Sequence, residues 1–328
     1  MAEIDIVIPA HNAEETLSSC LSGLRIAVEE INARVIVVDD GSRDATAKIA
    51  TDAGAMVVSQ ARRSGAAAAR NVGAGAGEAP IIAFIDADVV VAADAVRLLL
   101  KNFRNPENSA VFGAYDTEPE AEGLVSRYRN LLHHYVHLTG PTFPKTFWSG
   151  LGAVRRDTFE EIGGFDPAQA MMEDVELGLR LHRAGYRIKK DAAIKGTHLK
   201  HWSLAGMVRT DLFHRAIPWT ELMLRHGVSR ELNMSPRNRI GAVGAALLIA
   251  GVVFWPLAFI GLAMFLWAHV PFFAYLSQLK GAGFAFGSVL PHLIHTWCAI
   301  LGFGYVQVRS RIRQIRLMKD GFRGGGHA

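Results

Sequence analysis

The chain carries only one Asp, Glu, Lys or Arg between Ile240 and Val308, and that residue is Lys280. Leu, Ala, Phe and Trp are frequent in the same stretch, a composition typical of membrane-spanning helices. Residues 240–279 as a single helix would be about 60 Å long, roughly twice the hydrocarbon thickness of a bilayer. The helix must therefore be interrupted, and Pro256 and Pro271 are the candidate positions.

Basic residues on both sides of this apolar stretch predict its orientation. Because positive flanks stay in the cytoplasm, both ends are expected on the cytoplasmic face. Two crossings are the simplest arrangement, with the surplus length lying in the interface. Three crossings would place the tail outside, and a buried hairpin of a soluble protein is the alternative without a membrane. The flanking residues are Arg225, Arg230, Arg237 and Arg239 before the stretch, and Arg309, Arg311, Arg313, Arg316 and Lys319 after it.

Composition excludes several classes of protein. A net charge of +4 over 328 residues is too small to indicate nucleic-acid binding. Cys20 and Cys298 are far apart and predict neither a disulfide framework nor a thiolate metal site. The first residues lack the basic and apolar regions of a signal peptide, so residues 1–200 are expected to fold in the cytoplasm.

Strand-like and helix-like segments alternate before residue 200. Apolar strands that alternate with helices favour an α/β fold with a doubly wound, mostly parallel sheet. Neither a G-x-G-x-x-G motif nor a Walker lysine motif is present, which disfavours dinucleotide and ATP loops. The predicted strands are 4–9, 34–38, 55–59 and 81–85, and the predicted helices are 14–31, 44–53 and 66–75.

Polar residues follow three of these strands at the point where each ends: 11–12, 39–42 and 86–88. Ligands of doubly wound sheets bind at this edge. Asp86 and Asp88 are separated by one residue, so on an extended chain both carboxylates point to the same side. Carboxylate oxygens suit Mg²⁺ or Mn²⁺, whose open positions accept phosphate oxygens. The alternative is a strand that simply ends in solvent.

The combined motifs resemble family 2 glycosyltransferases, which have the GT-A fold. The resemblance covers about residues 4–200, and the motifs occur in the family's order. Each motif alone is weak, and the ordered set is specific. The matching segments are IVIPAHNAEETL (6–17), VVDDGSRDAT (37–46), AARNVG (68–73), IDAD (85–88), SGLGAVRR (149–156), IGGFD (162–166) and MEDVELGLRL (172–181).

The resemblance implies a site for a nucleotide-sugar donor. Asp39 is expected to accept hydrogen bonds from the base, with Asp40 as the alternative. For either residue, the alternative role is to cap the following turn. Asp88, together with Asp86, is expected to hold the cation at the diphosphate. Arg70 is expected to contact the nucleotide or the sugar, and the alternative is that it is an ordinary surface charge. The other implied donor contacts are Pro9, Asn12, Glu14, Gly65, Asn71, Ser149 and Gly150.

Asp174 is the candidate catalytic base, with Glu173 beside it. An inverting displacement needs one carboxylate to take the proton of the acceptor hydroxyl. Alternatively, both acids only complement the positive end of the helix dipole. The resemblance departs from the commoner family wording at Glu176, where Asp is frequent.

Residues 201–239 mix polar and aromatic side chains and predict interfacial amphipathic helices. Processive synthases carry a Gln-x-x-Arg-Trp motif in this region. This sequence lacks the motif, and Arg215 and Trp219 resemble it only weakly, which disfavours a processive synthase. His198 is a possible contact to the metal or the diphosphate, although a lone His is more often structural. His133, His134 and His137 are expected on an acceptor-side helix, and their spacing does not indicate a zinc site.

The sequence thus predicts a cytoplasmic domain (1–200), interfacial helices (201–239), a transmembrane region (240–308) and a basic tail (309–328). The predicted activity is inverting, Mg²⁺- or Mn²⁺-dependent transfer from a UDP-, GDP- or dTDP-sugar to a lipid-linked or glycan acceptor. The enzyme is expected at the cytoplasmic (inner) membrane. Polyprenyl phosphate is the alternative acceptor, and a membrane-bound nucleotide-sugar-binding protein without activity is the alternative function.

Overall fold

The structure is a computed structural model that describes residues 2–118, 121–227 and 235–324, with side chains up to residue 315. The chain divides after Trp202 into two compact units, which are described separately below. Arg230 of the basic flank lies outside the described residues, as do the side chains of Arg316 and Lys319.

The first unit is built on an eight-stranded mixed sheet with the strand order β3-β2-β1-β4-β7-β6-β8-β5. β3, β2, β1 and β4 run parallel, as predicted for the first half of the domain. β7 runs antiparallel to both of its neighbours, so the far half of the sheet is mixed. The strands are β1 Ile4–Ala10, β2 Ala33–Asp39, β3 Met56–Ser59, β4 Ile81–Ile85, β5 Val89–Val91, β6 Asn108–Tyr115, β7 Leu151–Arg155 and β8 Arg187–His198.

Helices cover both faces of this sheet, and β1 shows how the sequence builds the two layers. Ile4, Ile6 and Ile8 alternate into a core with the first helix, whereas Val7 points into the opposite core. The predicted α/β doubly wound architecture is confirmed. The helices of this unit are α1 Leu17–Ala27, α2 Thr46–Asp52, α3 Ala66–Gly75, α4 Ala95–Phe103, α5 Leu124–Thr139, α6 Arg156–Glu161 and α7 Glu173–Arg183.

A buried ion pair lies at the edge of the sheet where β1 begins. Asp5 is fully buried, accepts a hydrogen bond from the backbone N–H of Ala79 at 2.7 Å, and pairs with Arg156 Nη2 at 2.8 Å. The backbone at Gly77 passes so close that an added Cβ would lie 2.2 Å from Asp5 Oδ2. The pair therefore ties β1 to the start of α6.

Replacing Asp5 by Ala is expected to lower the free energy of unfolding by about 3–5 kcal/mol, because Arg156 then loses its buried carboxylate partner and keeps only the exposed Glu160 at 3.5 Å. Chemical denaturation of the full chain measures the change. Asp52→Ala is the matched control, since its pair with Lys48 is exposed and contributes little. Equal stability of the two variants would contradict the structural role of Asp5.

The second unit is helical. The predicted interruption at Pro256 is confirmed, because α10 ends at Ala250 and α11 begins at Pro256. Pro271 does not interrupt the helix, since it lies inside α11. Among the described residues, Pro256–Lys280 and Ala282–Ile315 are long and apolar enough to cross a membrane, which supports membrane association. The elements are α8 Leu204–Arg209, a π-helix Thr210–Ala216, α9 Ile217–His226, α10 Pro236–Ala250, α11 Pro256–Lys280, α12 Ala282–Gly287 and α13 Val289–Gly324.

Candidate active site

The loops that follow β1 and β2 are joined to each other. Asn12 has a left-handed backbone with φ of 50°, and its N–H donates to Ser42 Oγ at 2.9 Å. Asn12 Oδ1 accepts from Arg43 N, and Glu14 Oε2 accepts from Ala45 N at 3.1 Å. Both exposed side chains therefore shape this edge by holding the second loop. Pro9 lies in the same segment, at the end of β1.

Asp39 and Asp40 have different surroundings although they are adjacent. Both oxygens of Asp40 are used by the backbone: Oδ1 accepts from Ser64 N at 2.6 Å and Oδ2 from Gly65 N at 2.8 Å. Asp39 is also buried and accepts from Ser42 N through Oδ1 at 2.9 Å. Asp40 thus positions the loop before α3, and Asp39 is the better candidate for a base contact.

Arg70 connects two parts of the site that are far apart in the sequence. It is buried in α3, with 4% of its surface exposed, so the surface-charge alternative is wrong. Its Nη2 lies 2.7 Å from Asp86 Oδ1, and its Nη1 lies 2.5 Å from Glu173 Oε1. Arg70 therefore holds the end of β4 against the start of α7.

Asn71 follows Arg70 on α3 but has a different partner. Its Nδ2 donates to Phe165 O at 2.8 Å, and its Oδ1 accepts from Phe165 N at 2.9 Å. Both ends of the amide thus hold the loop around Phe165. The structure gives Asn71 a structural contact and does not bring it to the carboxylates.

Asp88 faces His198 across the edge of the sheet. Val89 pairs with His198 in the antiparallel ladder of β5 and β8, and this register places His198 Nε2 3.4 Å from Asp88 Oδ2. His198 Nδ1 lies 2.8 Å from Asn130 Oδ1, and Tyr115 stacks on the imidazole at 4.5 Å. Burial raises the pKa of Asp88, but His198 and Lys200 outweigh it and hold that pKa below its ordinary value.

Glu173 and Asp174 occupy the first turn of α7, next to the loop that precedes β7. Asp174 Oδ1 accepts from Val175 N at 2.8 Å, and Oδ2 accepts from Ser149 N at 3.3 Å. Burial, followed by the charge of Glu173, raises the pKa of Asp174 to about 6. A carboxylate with such a pKa is suited to accept a proton near neutral pH.

Ser149 and Gly150 link Asp174 to the end of β4. Gly150 O accepts from Asp86 N at 3.1 Å, and a Cβ at Gly150 would lie 2.6 Å from the ring of Trp148. A side chain at this position would therefore require the Trp148 ring to move. The segment brings the carboxylates of Asp86 and Asp174 to one edge of the sheet.

The sequence model of one protein family matches much of the chain that builds this site. The model of glycosyl transferase family 2 matches residues 5–163, which contain most of β1 together with Asp39, Arg70 and the Asp86–Asp88 pair, and which end before Glu173, Asp174 and His198. The chain contains a glycosyl transferase family 2 domain. The resemblance stated from the motifs is therefore confirmed.

Relatives of the family 2 domain include two bacterial enzymes. The chain is 30% identical to the pre-mycofactocin glycosyltransferase of Mycobacterium tuberculosis over 61% of this chain and 44% of that one. It is 24% identical to an O-antigen chain rhamnosyltransferase of Salmonella typhimurium over 67% of this chain and 74% of that one. The chain thus matches less than half the length of the mycobacterial relative.

A solved structure confirms the GT-A fold of the family 2 domain. A mannosyltransferase from Pyrobaculum calidifontis, solved with GDP-Man and Mn²⁺, superposes with a TM-score of 0.58 at 19% identity. The match covers 92% of this chain and 87% of that chain. At this identity the likeness establishes the fold.

The donor atoms at Asp88 fit a divalent cation. Asp88 Oδ2 and His198 Nε2 lie 3.4 Å apart, and a carboxylate oxygen and an imidazole nitrogen are both groups that bind divalent cations such as Mn²⁺. Asp86 is already paired with Arg70. Among the described residues no group of three metal-ligating side chains converges, so the remaining ligands must come from the donor or water.

Several residues of the candidate site were missed or undervalued in the sequence. His198 and Tyr115 are the last residues of β8 and β6, so the strand-end argument applied to all strands would have found both. Asn130 carries no local signal, because it lies 68 residues from His198 in sequence. Arg215 and Trp219 belong to the second unit, in the π-helix and α9.

The Asn130 contact leads to a testable prediction. Asn130→Ala is expected to weaken Mn²⁺ binding by about 10-fold or more, because His198 loses the group that orients its ring. Electron paramagnetic resonance of Mn²⁺ in the presence of a nucleoside diphosphate measures the affinity. Asn105→Ala, at an exposed position, is the control. Unchanged affinity in Asn130→Ala would remove Asn130 from this role.

Proposed function

We propose that the protein is an inverting glycosyltransferase that moves a sugar from a nucleotide-sugar donor to a hydroxyl of a lipid-linked or glycan acceptor. One observation carries the proposal. Arg70 joins Asp86 and Glu173, so the predicted donor carboxylates and the predicted base lie at one edge of the sheet. A site that only binds a nucleotide sugar has no use for a base.

The donor side is assigned to the edge formed by β1, β2 and β4. Asp39 accepts hydrogen bonds from the base, and the loop of Pro9, Asn12 and Glu14 shapes the space beside it. Asp88 and His198 are the residues that would hold Mg²⁺ or Mn²⁺, and a bound cation would neutralise charge on the departing diphosphate. The Pyrobaculum mannosyltransferase was solved with GDP-Man and Mn²⁺, which supports a nucleotide sugar and a divalent cation as the bound molecules.

The acceptor side is assigned to the segment between Asp174 and Ser149. Asp174 takes the proton of the acceptor hydroxyl as that oxygen attacks the anomeric carbon opposite the leaving group. The hydrogen bond from Ser149 N holds the Asp174 carboxylate in place. Polyprenyl phosphate is the second candidate acceptor, and a phosphate that is already ionised needs no base, which favours the hydroxyl acceptor.

The protein is assigned to the cytoplasmic (inner) membrane with its catalytic domain in the cytoplasm. The apolar helices α11 and α13 support membrane association, and the basic residues on both flanks support this orientation. A site at this face meets lipid-linked acceptors directly.

Turnover by membranes that contain the full chain tests the proposal. UDP-, GDP- and dTDP-sugars are supplied with Mn²⁺ and a lipid extract, and both nucleoside diphosphate and lipid-extractable sugar are measured. Metal-dependent formation of both products by one donor supports transfer. Donor binding without turnover for every lipid fraction would instead support the binding protein.

The pH dependence follows from Asp174. Because the pKa of Asp174 is raised to about 6, its ionised form is lost below that pH, and kcat/KM is expected to fall about tenfold per pH unit there. Since the raised pKa means that the folded state binds this proton more tightly, this group stabilises the fold as pH falls. The pH at which the protein unfolds, measured by circular dichroism, is therefore expected to differ from the pH at which kcat/KM falls. A value of kcat/KM that stays the same between pH 7 and pH 5 would contradict the assignment.

A further inference from the structure

Lys200 lies just beyond the end of β8, next to the carboxylate that is proposed to hold the cation. Val89 pairs with His198 in the sheet, and the backbone N–H of Leu199 donates to Asp88 O at 2.9 Å. The chain therefore continues alongside Asp88 after β8 ends, and Lys200 is the next residue. Lys200 is exposed, so a ligand bound at this edge can reach it.

The positive charge of Lys200 acts on Asp88. Burial raises the pKa of Asp88, but His198 and then Lys200 lower it and prevail. Because water and salt screen the interaction between charges, this effect requires the Lys200 ammonium to lie near the Asp88 carboxylate. Within the described part of the chain, that ammonium has neither a hydrogen-bond acceptor nor a carboxylate in an ion pair. It is therefore available to an added anion.

The Trp202 ring holds the Lys200 ammonium in place. Lys200 Nζ lies 4.6 Å from the centre of that ring, a cation–π contact that fixes the charge without placing an anion beside it. Trp202 itself is buried, with 6% of its surface exposed, and Ser126 Oγ accepts from Trp202 N at 2.8 Å. A flexible lysine side chain is thus held over a rigid indole. This contact lowers the entropy that the side chain loses when it binds a ligand.

The acidic side chains at this edge leave a bound diphosphate short of positive charge. Asp86, Asp88, Glu173 and Asp174 all lie there, and Arg70 is already paired with two of them. A divalent cation at Asp88 would offset part of this negative charge. A nucleoside diphosphate brings several further negative charges, which favours a basic residue beside it. An exposed ammonium beside Asp88 supplies such a charge.

We propose that Lys200 donates hydrogen bonds to the diphosphate of the nucleotide-sugar donor and stabilises the diphosphate as it departs. The bond between the anomeric carbon and a diphosphate oxygen breaks, and its electron pair stays on that oxygen. The acceptor oxygen forms the new bond to the anomeric carbon, and its proton passes to Asp174. The Lys200 ammonium keeps its protons and stabilises the charge that the leaving oxygen gains. The inference rests on the proposed function, since it assigns a further residue to the donor side of that site.

Calorimetry on the full chain in detergent tests the contact. UDP, GDP and dTDP are each titrated at saturating Mn²⁺, and the nucleotide that binds the unmodified chain is used with the variants. Lys200→Ala is expected to raise its Kd about tenfold, because a charge-assisted contact is lost. Lys200→Arg keeps the charge and is expected to recover most of the affinity. The kcat/KM of Lys200→Ala for sugar transfer is expected to fall about 10–100-fold.

Lys195→Ala is the matched control for Lys200→Ala. Lys195 is an exposed lysine of β8 itself, so its replacement removes the same charge from a neighbouring part of the chain. The Kd of Lys195→Ala is expected to equal that of the unmodified chain. Because both lysines are exposed, both variants are expected to fold, and circular dichroism checks this.

Several outcomes would overturn the inference. Equal Kd values for Lys200→Ala and the unmodified chain would remove Lys200 from the diphosphate, and a change confined to the KM of the acceptor would assign it to a phosphate of the acceptor instead. An equal loss of affinity in Lys195→Ala would mean that net charge matters and this position does not. An equal loss in Lys200→Arg would mean that the side chain has a structural role.

The binding measurement also separates this inference from the proposed function. It needs no acceptor, so it tests Lys200 even if no sugar transfer is found. If the unmodified chain bound none of the three nucleotides, the proposed function and this inference would both be overturned.

Discussion

Replacing Asp174 by Asn is expected to lower kcat/KM by about 10²–10⁴-fold, because an amide cannot accept the proton of the acceptor hydroxyl. Donor affinity is expected to stay unchanged. Asp174 accepts hydrogen bonds from the backbone of Ser149 and Val175, whereas the link from Arg70 to Asp86 and Glu173 remains intact. Release of nucleoside diphosphate at saturating acceptor gives the rate, and calorimetry gives the donor affinity.

The control for Asp174→Asn is Asp52→Asn, which removes an exposed carboxylate with the same chemical change. Its rate is expected to equal that of the unmodified chain. Glu173→Gln provides a second comparison, since it disturbs the pair with Arg70 but leaves Asp174 in place. Full activity in Asp174→Asn combined with loss in Glu173→Gln would transfer the role of base to Glu173.

Replacing Asp88 by Asn is expected to lower kcat/KM by about 10²–10³-fold, because metal assistance to the leaving group supplies several kcal/mol. The loss has a physical signature apart from the rate. Asp88 Oδ2 lies 3.4 Å from His198 Nε2, so a bound Mn²⁺ would lose one of the two side chains that converge there. Electron paramagnetic resonance of Mn²⁺ with a nucleoside diphosphate is expected to show weaker binding.

Comparing Asp86→Asn with Asp88→Asn distinguishes a role in metal binding from a role in stability. Asp86 is paired with Arg70 at 2.7 Å, so its replacement disturbs a buried ion pair and lowers stability as well as activity. Asp88→Asn is expected to leave thermal stability nearly unchanged. If Asp86→Asn alone abolished Mn²⁺ binding and Asp88→Asn did not, Asp86 would be the direct ligand.

The first half of the sheet could be predicted because its strands carry a strong local pattern. The predicted strand 81–85 and the predicted helix 66–75 coincide with β4 and α3. Helix 44–53 was predicted too long, since α2 begins at Thr46 after Asp44 Oδ1 accepts from Thr46 N. The motifs that carry the family resemblance lie in the same region, at strand ends where ligands bind.

The roles of individual side chains were harder to predict. The sequence left Asp39 and Asp40 as alternatives, and they differ only because Ser64 and Gly65 donate to Asp40. Arg70 looked like a surface charge as plausibly as a donor contact. Its burial depends on residues of α7 that lie about a hundred positions away, so no local pattern records it.

The sequence by itself determined the first four strands, the strand-end carboxylates and the apolar stretch, because alternation, turn residues and absence of charge act over a few neighbouring residues. Only the tertiary structure decided that β7 runs antiparallel between β4 and β6, and that β8 ends with His198 opposite Asp88. Those features depend on the register between distant strands, which packing of the whole sheet sets. The carboxylates of the site could therefore be found from local sequence patterns, whereas the groups that hold them could be found only from the tertiary structure.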